Sequence, residues 1–441
     1  MVGQQKRVIP IENCEAYRRY VENAEASYVL DCPGRLTAVT TQAVHFEKQL
    51  KTKEPLTLQN LRELSNTRGS ITASVLKYSK DGEYSTLEDA YRWQSTYLPI
   101  LFNFVEKQGQ MSAPKCKKFL FKWSSYAETI SKGGRQFFDL EDVRHELAMS
   151  LALHAAVLQE MGCRKAELSK VDERAREQMH TSTSTTQQDD VAMSATLLRR
   201  AAGVYSFLSS DSGLTEGSHS NLLQQLKAEK LLPAYRPAEL SQAVAKAFSL
   251  IALGDAQSLT AGRCEMKTGA ALLSIQSGGG DGRPQVVSFG TVAALYRAAS
   301  NLYDEAAGTI KANRGEFNQI RSELLDFIAV CQQLALARCF RCMGFQKRED
   351  CEAGEAIRFV ETALQALAFC KRVSVKRPRW LETLQAEERV ATELLHKVKI
   401  ENQVVYFQKT DVPIAAPTEK VLVSGIAFEA QVARQNLFVE Q

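Results

Sequence analysis

The sequence predicts a mainly α-helical fold of stacked antiparallel hairpins, tetratricopeptide-like in arrangement, with a few short strands. Three observations carry that expectation. Apolar residues recur at helical spacing along most of the chain, as in Ile357, Val360, Leu364, Leu367 and Cys370. Long helical stretches follow one another across short turns, which makes neighbours antiparallel. Strand patterns are scarce, and strict 34-residue repeats are absent, so the likeness to tetratricopeptide hairpins is one of architecture.

In order, the periodicity predicts helices over 12–24, 57–80, 85–108, 139–162, 164–180, 190–209, 218–231, 237–272, 286–312, 315–344, 351–373 and 380–400. Arg7–Ile11 reads as a strand, and Phe119–Trp123 alternates with its three aromatic side chains on one face. Residues 403–408 and 420–428 are β-branched and read as two more strands that return onto the core. Three polar segments read as exposed loops: the Ser/Thr-rich run 180–190, the turn-rich 210–218 and the glycine-rich 277–284. None has the character of a long interdomain linker, so one domain over 1–430 with a tail at 431–441 is expected.

Composition narrows the function. The 441 residues are 44% hydrophobic and 24% charged, ordinary for a globular chain. The net charge of +4 provides no global field for nucleic acid, and none is expected as a partner. No apolar run is long enough to span a bilayer, and the N-terminus has no apolar signal core, so a soluble, cytoplasmic protein is expected. The ten cysteines read as reduced core residues, including the Cys339-Phe-Arg-Cys342 pair, beside which no further ligand pair stands. His145 and His154 are nine apart, the wrong spacing for two ligands on one helical turn.

Catalytic signatures are missing: no nucleophile elbow, no phosphate-binding loop and no dinucleotide fingerprint. No enzyme activity, cofactor or metal is expected. The basic run Lys371, Arg372, Lys376, Arg377 and Arg379 joins two helices and contains no acid. It reads as a solvated loop, and alternatively as a candidate contact with an anionic membrane, where each cation contributes about 1 kcal/mol.

Several segments together resemble a known family: Phe121-Lys-Trp123, Leu198-Arg-Arg-Ala-Ala-Gly-Val-Tyr-Ser-Phe-Leu208, the run Ser249–Thr260, Leu295–Tyr303, Gly354-Glu-Ala-Ile357 and Glu401-Asn-Gln-Val-Val-Tyr-Phe-Gln-Lys409. In this order they resemble the Bro-one domain of ESCRT-associated proteins, the Alix and Brox type, and are most similar to its Brox-like members. The resemblance implies an elongated, banana-shaped helical domain and a non-enzymatic adaptor in endosomal sorting. It implies a concave patch that receives the C-terminal amphipathic helix of an ESCRT-III subunit, falling here on Thr260, Val292 and Leu295 with Thr291 alongside. The chain departs from the family at Gly254-Asp-Ala-Gln-Ser258 and carries threonine at 260, as Brox-like members do, where Alix-like members have a large aromatic. An alternative within the same scaffold is a signalling partner, a GTPase or a receptor tail, in place of the ESCRT-III subunit.

Overall fold

The computed structural model describes residues 15–22, 29–32, 35–36, 43–50, 52–110, 119–128, 137–178, 185–209, 222–274, 287–317 and 319–429. The expected strand at 7–11, the loops at 210–218 and 277–284 and the tail at 431–441 lie outside them. So do 180–184 of the Ser/Thr-rich run; its remainder enters a helix, so that a polar composition read as a loop begins a helix instead.

Among the described residues the order is helical with one small sheet. Helices α1 (Glu15–Glu22), α2 (Phe46–Gln49), α3 (Pro55–Asp81) and α4 (Tyr84–Gln110) come first. Strands β1 (Phe121–Trp123) and β2 (Phe138–Leu140) pair antiparallel with Phe121 opposite Leu140. Then follow α5 (Val143–Gln178), α6 (Thr185–Ser209), α7 (Leu222–Ala228), a short 3₁₀ turn at Ala238–Leu240, α8 (Gln242–Ser274) and α9 (Phe289–Ala312). The series ends with α10 (Ser322–Glu349), α11 (Ala353–Val373) and α12 (Pro378–Glu401). Helices α3, α4, α5, α6, α8, α9, α10, α11 and α12 each pack on the next, the linear stacking of a helical-hairpin array.

Local chemistry sets the ends. The Glu54 carboxylate accepts from the Leu56 and Thr57 amides ahead of Pro55, whose missing N–H costs nothing at a first helical position. Gly82 ends α3 at φ +67°, donating to the Tyr78 carbonyl at 2.8 Å, in a left-handed conformation that favours glycine. The Ser288 hydroxyl caps α9 through the Thr291 amide at 3.2 Å.

Three expectations need correction. The helices expected at 139–162 and 164–180 are one, α5; Gly162 does not break it, and its bare Cα lets Leu198 of α6 pack where a Cβ would lie 2.9 Å away. The strand expected at 403–408 is a π-helical turn, Asn402–Tyr406, that prolongs α12. Phe407, at φ +52°, closes it by donating to the Asn402 carbonyl at 2.7 Å, and the Asn402 side chain brackets the Gln408 backbone at 2.9 and 2.8 Å. A β-branched pair gains from a strand only where a neighbouring strand exists to pair with. The segment 420–428 also pairs with no strand among the described residues. It is the end of a strap, described below.

The core is continuous from α1 to α12 and holds Cys339 and Cys342, both 0% exposed, with Cys351 at the α10–α11 corner. Within it lie buried carboxylates, each held by arginine and aromatic donors. Glu146 of α5 accepts from Arg68 at 2.7 and 3.1 Å, Tyr97 at 2.9 Å and the Trp123 indole at 2.7 Å, joining α3, α4, β1 and α5. Glu387 of α12 accepts from Arg338 at 2.6 Å and Tyr20 at 2.9 Å and ion-pairs with Arg341 at 3.2 Å. Arg341 continues to Glu265 of α8 at 2.6 and 3.1 Å, where Tyr296 of α9 also donates at 2.9 Å. Burial pushes the Glu387 carboxyl up, but the Arg338 and Arg341 charges outweigh it and hold it below the ordinary range.

Because that folded pKa is depressed, the Glu387 contribution is present above the unfolded value and is lost as pH falls through the folded one. Glu387→Leu removes the acid that Arg338 and Arg341 share, leaving Arg341 only its pair with Glu265, so we expect a loss of about 3–5 kcal/mol in urea unfolding at pH 7. The wild-type advantage over this variant should shrink below pH 4, in the range where a model glutamate titrates.

Candidate functional site

The four residues of the expected partner patch lie on two adjacent helices. Thr260 is on α8 and half-buried, its hydroxyl donating back to the Ala256 carbonyl at 2.8 Å. Thr291 is in the first turn of α9, also half-buried, with its hydroxyl 3.1 Å from Ser288 Oγ. Val292 and Leu295 are 0% and 1% exposed. These two are therefore core residues between the helices, and only the threonines present side-chain surface. A guest helix meets the aliphatic pair through no open surface in this conformation.

What borders the patch is a feature that sequence reading missed. After the π turn the chain runs back across the stack as an extended strap, residues 408–429. It begins at α11, where Gly354 donates to the Gln408 side chain at 2.9 Å and Gln408 donates to the Cys351 carbonyl at 2.8 Å. At α9 the Lys420 amide donates to the Ala294 carbonyl at 3.0 Å. Gln257 of α8, one turn from Thr260, then grips both sides. Its amide nitrogen donates to the carbonyls of Leu295 at 3.2 Å and Lys420 at 3.0 Å, and its oxygen accepts from Leu422 and Val423 at 3.2 and 3.3 Å. At α6 the Ile426 amide donates to the Arg199 carbonyl at 3.0 Å, and the Arg199 guanidinium donates to the Ser424 carbonyl at 2.8 Å. Phe428 then packs near Phe102 and Phe207.

The strap lies close enough to forbid side chains beneath it. A Cβ on Gly203 would sit 1.7 Å from the Ile426 carbonyl oxygen, and one on Gly354 would sit 2.1 Å from the Lys409 carbonyl oxygen. Both glycines fall inside segments that the sequence reading had singled out. The signal that could have revealed the strap was therefore present: glycines inside good helical patterns, facing nothing local. The departure at 254–258 is also structural. Gly254 makes room for the Tyr303 ring, and Asp255 accepts from Tyr303 at 2.6 Å and Gln159 at 2.8 Å.

The five cations of the basic run do not form a loop of free charge. Lys371 and Arg372 are in the last turn of α11, where they complement the helix C-terminus, and Arg379 is in the first turn of α12. Lys371 ion-pairs with Glu388 at 2.8 Å, the Arg377 guanidinium lies 5.9 Å from the centre of the Trp380 ring, and Arg379 stands 4.0 Å from Asp31. Arg372 and Lys376 face solvent beside Val375, which is 69% exposed. Among the described residues no cluster of histidine, cysteine and carboxylate side chains has the geometry of a metal site, and no helix is long and apolar enough to cross a membrane.

With this geometry in place, comparison with known proteins gives a consistent answer. The family model described as BRO1-like domain matches residues 59–439. A solved structure of the ALIX BRO1 domain in complex with CHMP4C superimposes at TM-score 0.61 and 14% identity, covering 91% of this chain and 97% of that one. ALIX in complex with a late-domain peptide from SIVmac239 gives TM-score 0.56 at 14% identity over 90% of this chain, which spans about half (49%) of that longer protein. A structure described as the basis for endosomal targeting by the Bro1 domain gives TM-score 0.53 at 12% identity, covering 91% and 93%. The search of curated proteins finds no sequence match. At these identities the solved structures speak for the helical fold, and the family model, spanning most of the chain, for membership. The chain belongs to the BRO1-like domain family.

Proposed function

We propose that this protein is a non-enzymatic adaptor of the ESCRT system that binds the C-terminal amphipathic helix of an ESCRT-III subunit and acts at endosomal membranes from the cytoplasmic side. The observation that carries the reading is the BRO1-like match over residues 59–439, joined to a similar fold captured with CHMP4C. The partner helix would rest across α8 and α9, touching Thr260 and Thr291, while Val292 and Leu295 support that surface from beneath. An amphipathic helix laid on a pair of packed helices needs apolar anchors on the guest and a firm floor on the host. The buried aliphatic pair supplies the floor.

Burial changes what a mutation at Leu295 reports. Leu295→Asp places a carboxylate in the core and should cost several kcal/mol of stability, so loss of binding in that variant says nothing about contact. Thr260→Arg and Thr291→Arg alter half-buried positions whose hydroxyls bond only within their own helical turn. Fluorescence anisotropy of labelled ESCRT-III C-terminal helices should give saturable micromolar binding, about −8 kcal/mol at 1 μM. Each arginine variant should weaken it about tenfold with unfolding unchanged. Binding that ignores both variants would move the site elsewhere, and no binding to any such helix would favour a signalling partner on the same scaffold.

For the membrane, Arg372, Lys376 and Arg377 are the main contact proposed, since Lys371 pairs with Glu388 and Arg379 stands beside Asp31. Cosedimentation with phosphatidylserine vesicles should fall on the double change Lys376→Glu and Arg377→Glu, and should fall in wild type as salt rises, because screening weakens surface charge. Equal sedimentation of variant and wild type would remove this corner from the interface.

A further inference from the structure

Where the strap ends, it closes one side of a cavity of about 440 Å³ between α4, α5 and α6. Leu98, Phe102, Leu158, Val204, Ile426 and Phe428 form its apolar wall. The volume is within the usual range for small-molecule sites, about 300–1,000 Å³. At about 30 Å³ per water it holds roughly fifteen water-sized groups, enough for two fused rings.

The buried polar side chain on this wall is His154. His154, 7% exposed, has Nδ1 3.0 Å from the Gln94 side-chain oxygen. In the amide orientation that turns the Gln94 oxygen to the ring, that oxygen accepts from Nδ1–H and Nε2 presents a lone pair. Nε2 makes no hydrogen bond within the described residues, and His154 is among the residues that line the cavity. The Tyr91 ring stacks on the imidazole at 5.5 Å and 18°, and Phe428 stands 6.4 Å from it. Burial lowers the His154 pKa to about 4, so the ring is neutral near pH 7. Nearer the mouth, Pro99 lacks the N–H that would bond the Ser95 carbonyl one turn back, which leaves a second acceptor on the same side. Arg200 and Glu429 are at the exposed rim.

We propose that this cavity is a binding site for a small planar aromatic molecule with one hydroxyl or N–H donor, of the phenol or indole class, held between aromatic side chains with its donor on His154 Nε2. Nothing in the adaptor reading assigns it, and it lies on helices other than those bearing Thr260 and Thr291. An apolar floor with one unpartnered acceptor selects such a ligand, because a molecule lacking the donor leaves the buried acceptor unpaired.

The test uses a matched pair, 2-naphthol and 2-methoxynaphthalene, titrated calorimetrically into the full chain. We expect 2-naphthol to bind at least about tenfold more tightly, the size of one buried hydrogen bond. In His154→Phe, which keeps a ring for Tyr91 to stack on, that preference should drop below about twofold. Ser95→Trp, at an exposed position on the mouth, should abolish binding of both. Equal affinity for the pair, a preference that survives in His154→Phe, or 2-naphthol binding that survives in Ser95→Trp overturns the proposal, as does no binding at all. If His154→Phe fails to fold, the pair comparison and Ser95→Trp still decide.

Discussion

The structure depends on carboxylates buried where helices meet. A stack in which each helix touches chiefly its neighbours needs long-range contacts of this kind to tie its first elements to its last. Glu387 of α12 accepts from Tyr20 of α1, 367 residues earlier, while the Glu393 carboxylate accepts from the Glu15 and Ala16 amides at 2.9 and 2.5 Å. The second contact is a helix cap supplied from a remote helix, with the acid at the positive end of the α1 dipole. Trp380 adds a hydrogen bond to the Asp31 carbonyl at 3.2 Å. A buried charge is costly unless its acceptors are filled, and each of Glu146, Glu265 and Glu387 has arginine and tyrosine donors on different elements. The penalty for an unpaired acid makes these junctions specific: each holds several helices in one arrangement.

The strap imposes the complementary constraint from outside. The amides of Lys420, Leu422, Val423 and Ile426 find the Ala294 and Arg199 carbonyls and the Gln257 side chain, so these strap amides are satisfied without a sheet. Close approach then fixes Gly203 and Gly354, where even a methyl group collides with strap carbonyls. Segments that mark the family in this sequence thus owe part of their pattern to the strap. Gln257 is the clearest case: one side chain locks α8, α9 and the strap together.

Much of the fold was legible in the sequence. The long helices after residue 55 appear where apolar spacing predicts them, and the aromatic alternation of Phe119–Trp123 contains β1. The basic run joins two helices, as its composition suggests, and part of its charge is met by acids that the sequence does not place there. Glu388 and Asp31, which face Lys371 and Arg379, come from positions that spacing does not connect to it. The four residues of the proposed patch were legible as helical positions, and they lie on two adjacent helices. Which of the four are open was not: Val292 and Leu295 have the same aliphatic character whether they meet a guest helix or the next helix of the stack.

By itself, then, the sequence determined helix positions, the hairpin architecture and the family, because 3.6-residue periodicity, caps and ordered local motifs are properties of neighbouring residues. Tertiary structure alone decided that Val404–Phe407 closes a helix as a π turn, that 420–428 is a strap without a strand partner, and that Glu146 and Glu387 are interior hubs. It also placed His154 at the edge of a cavity closed by Phe428. The physical reason is the same in each case. A β-branched pair, a glutamate or a histidine takes its role from the donor, acceptor or surface opposite it, and that partner lies tens to hundreds of residues away.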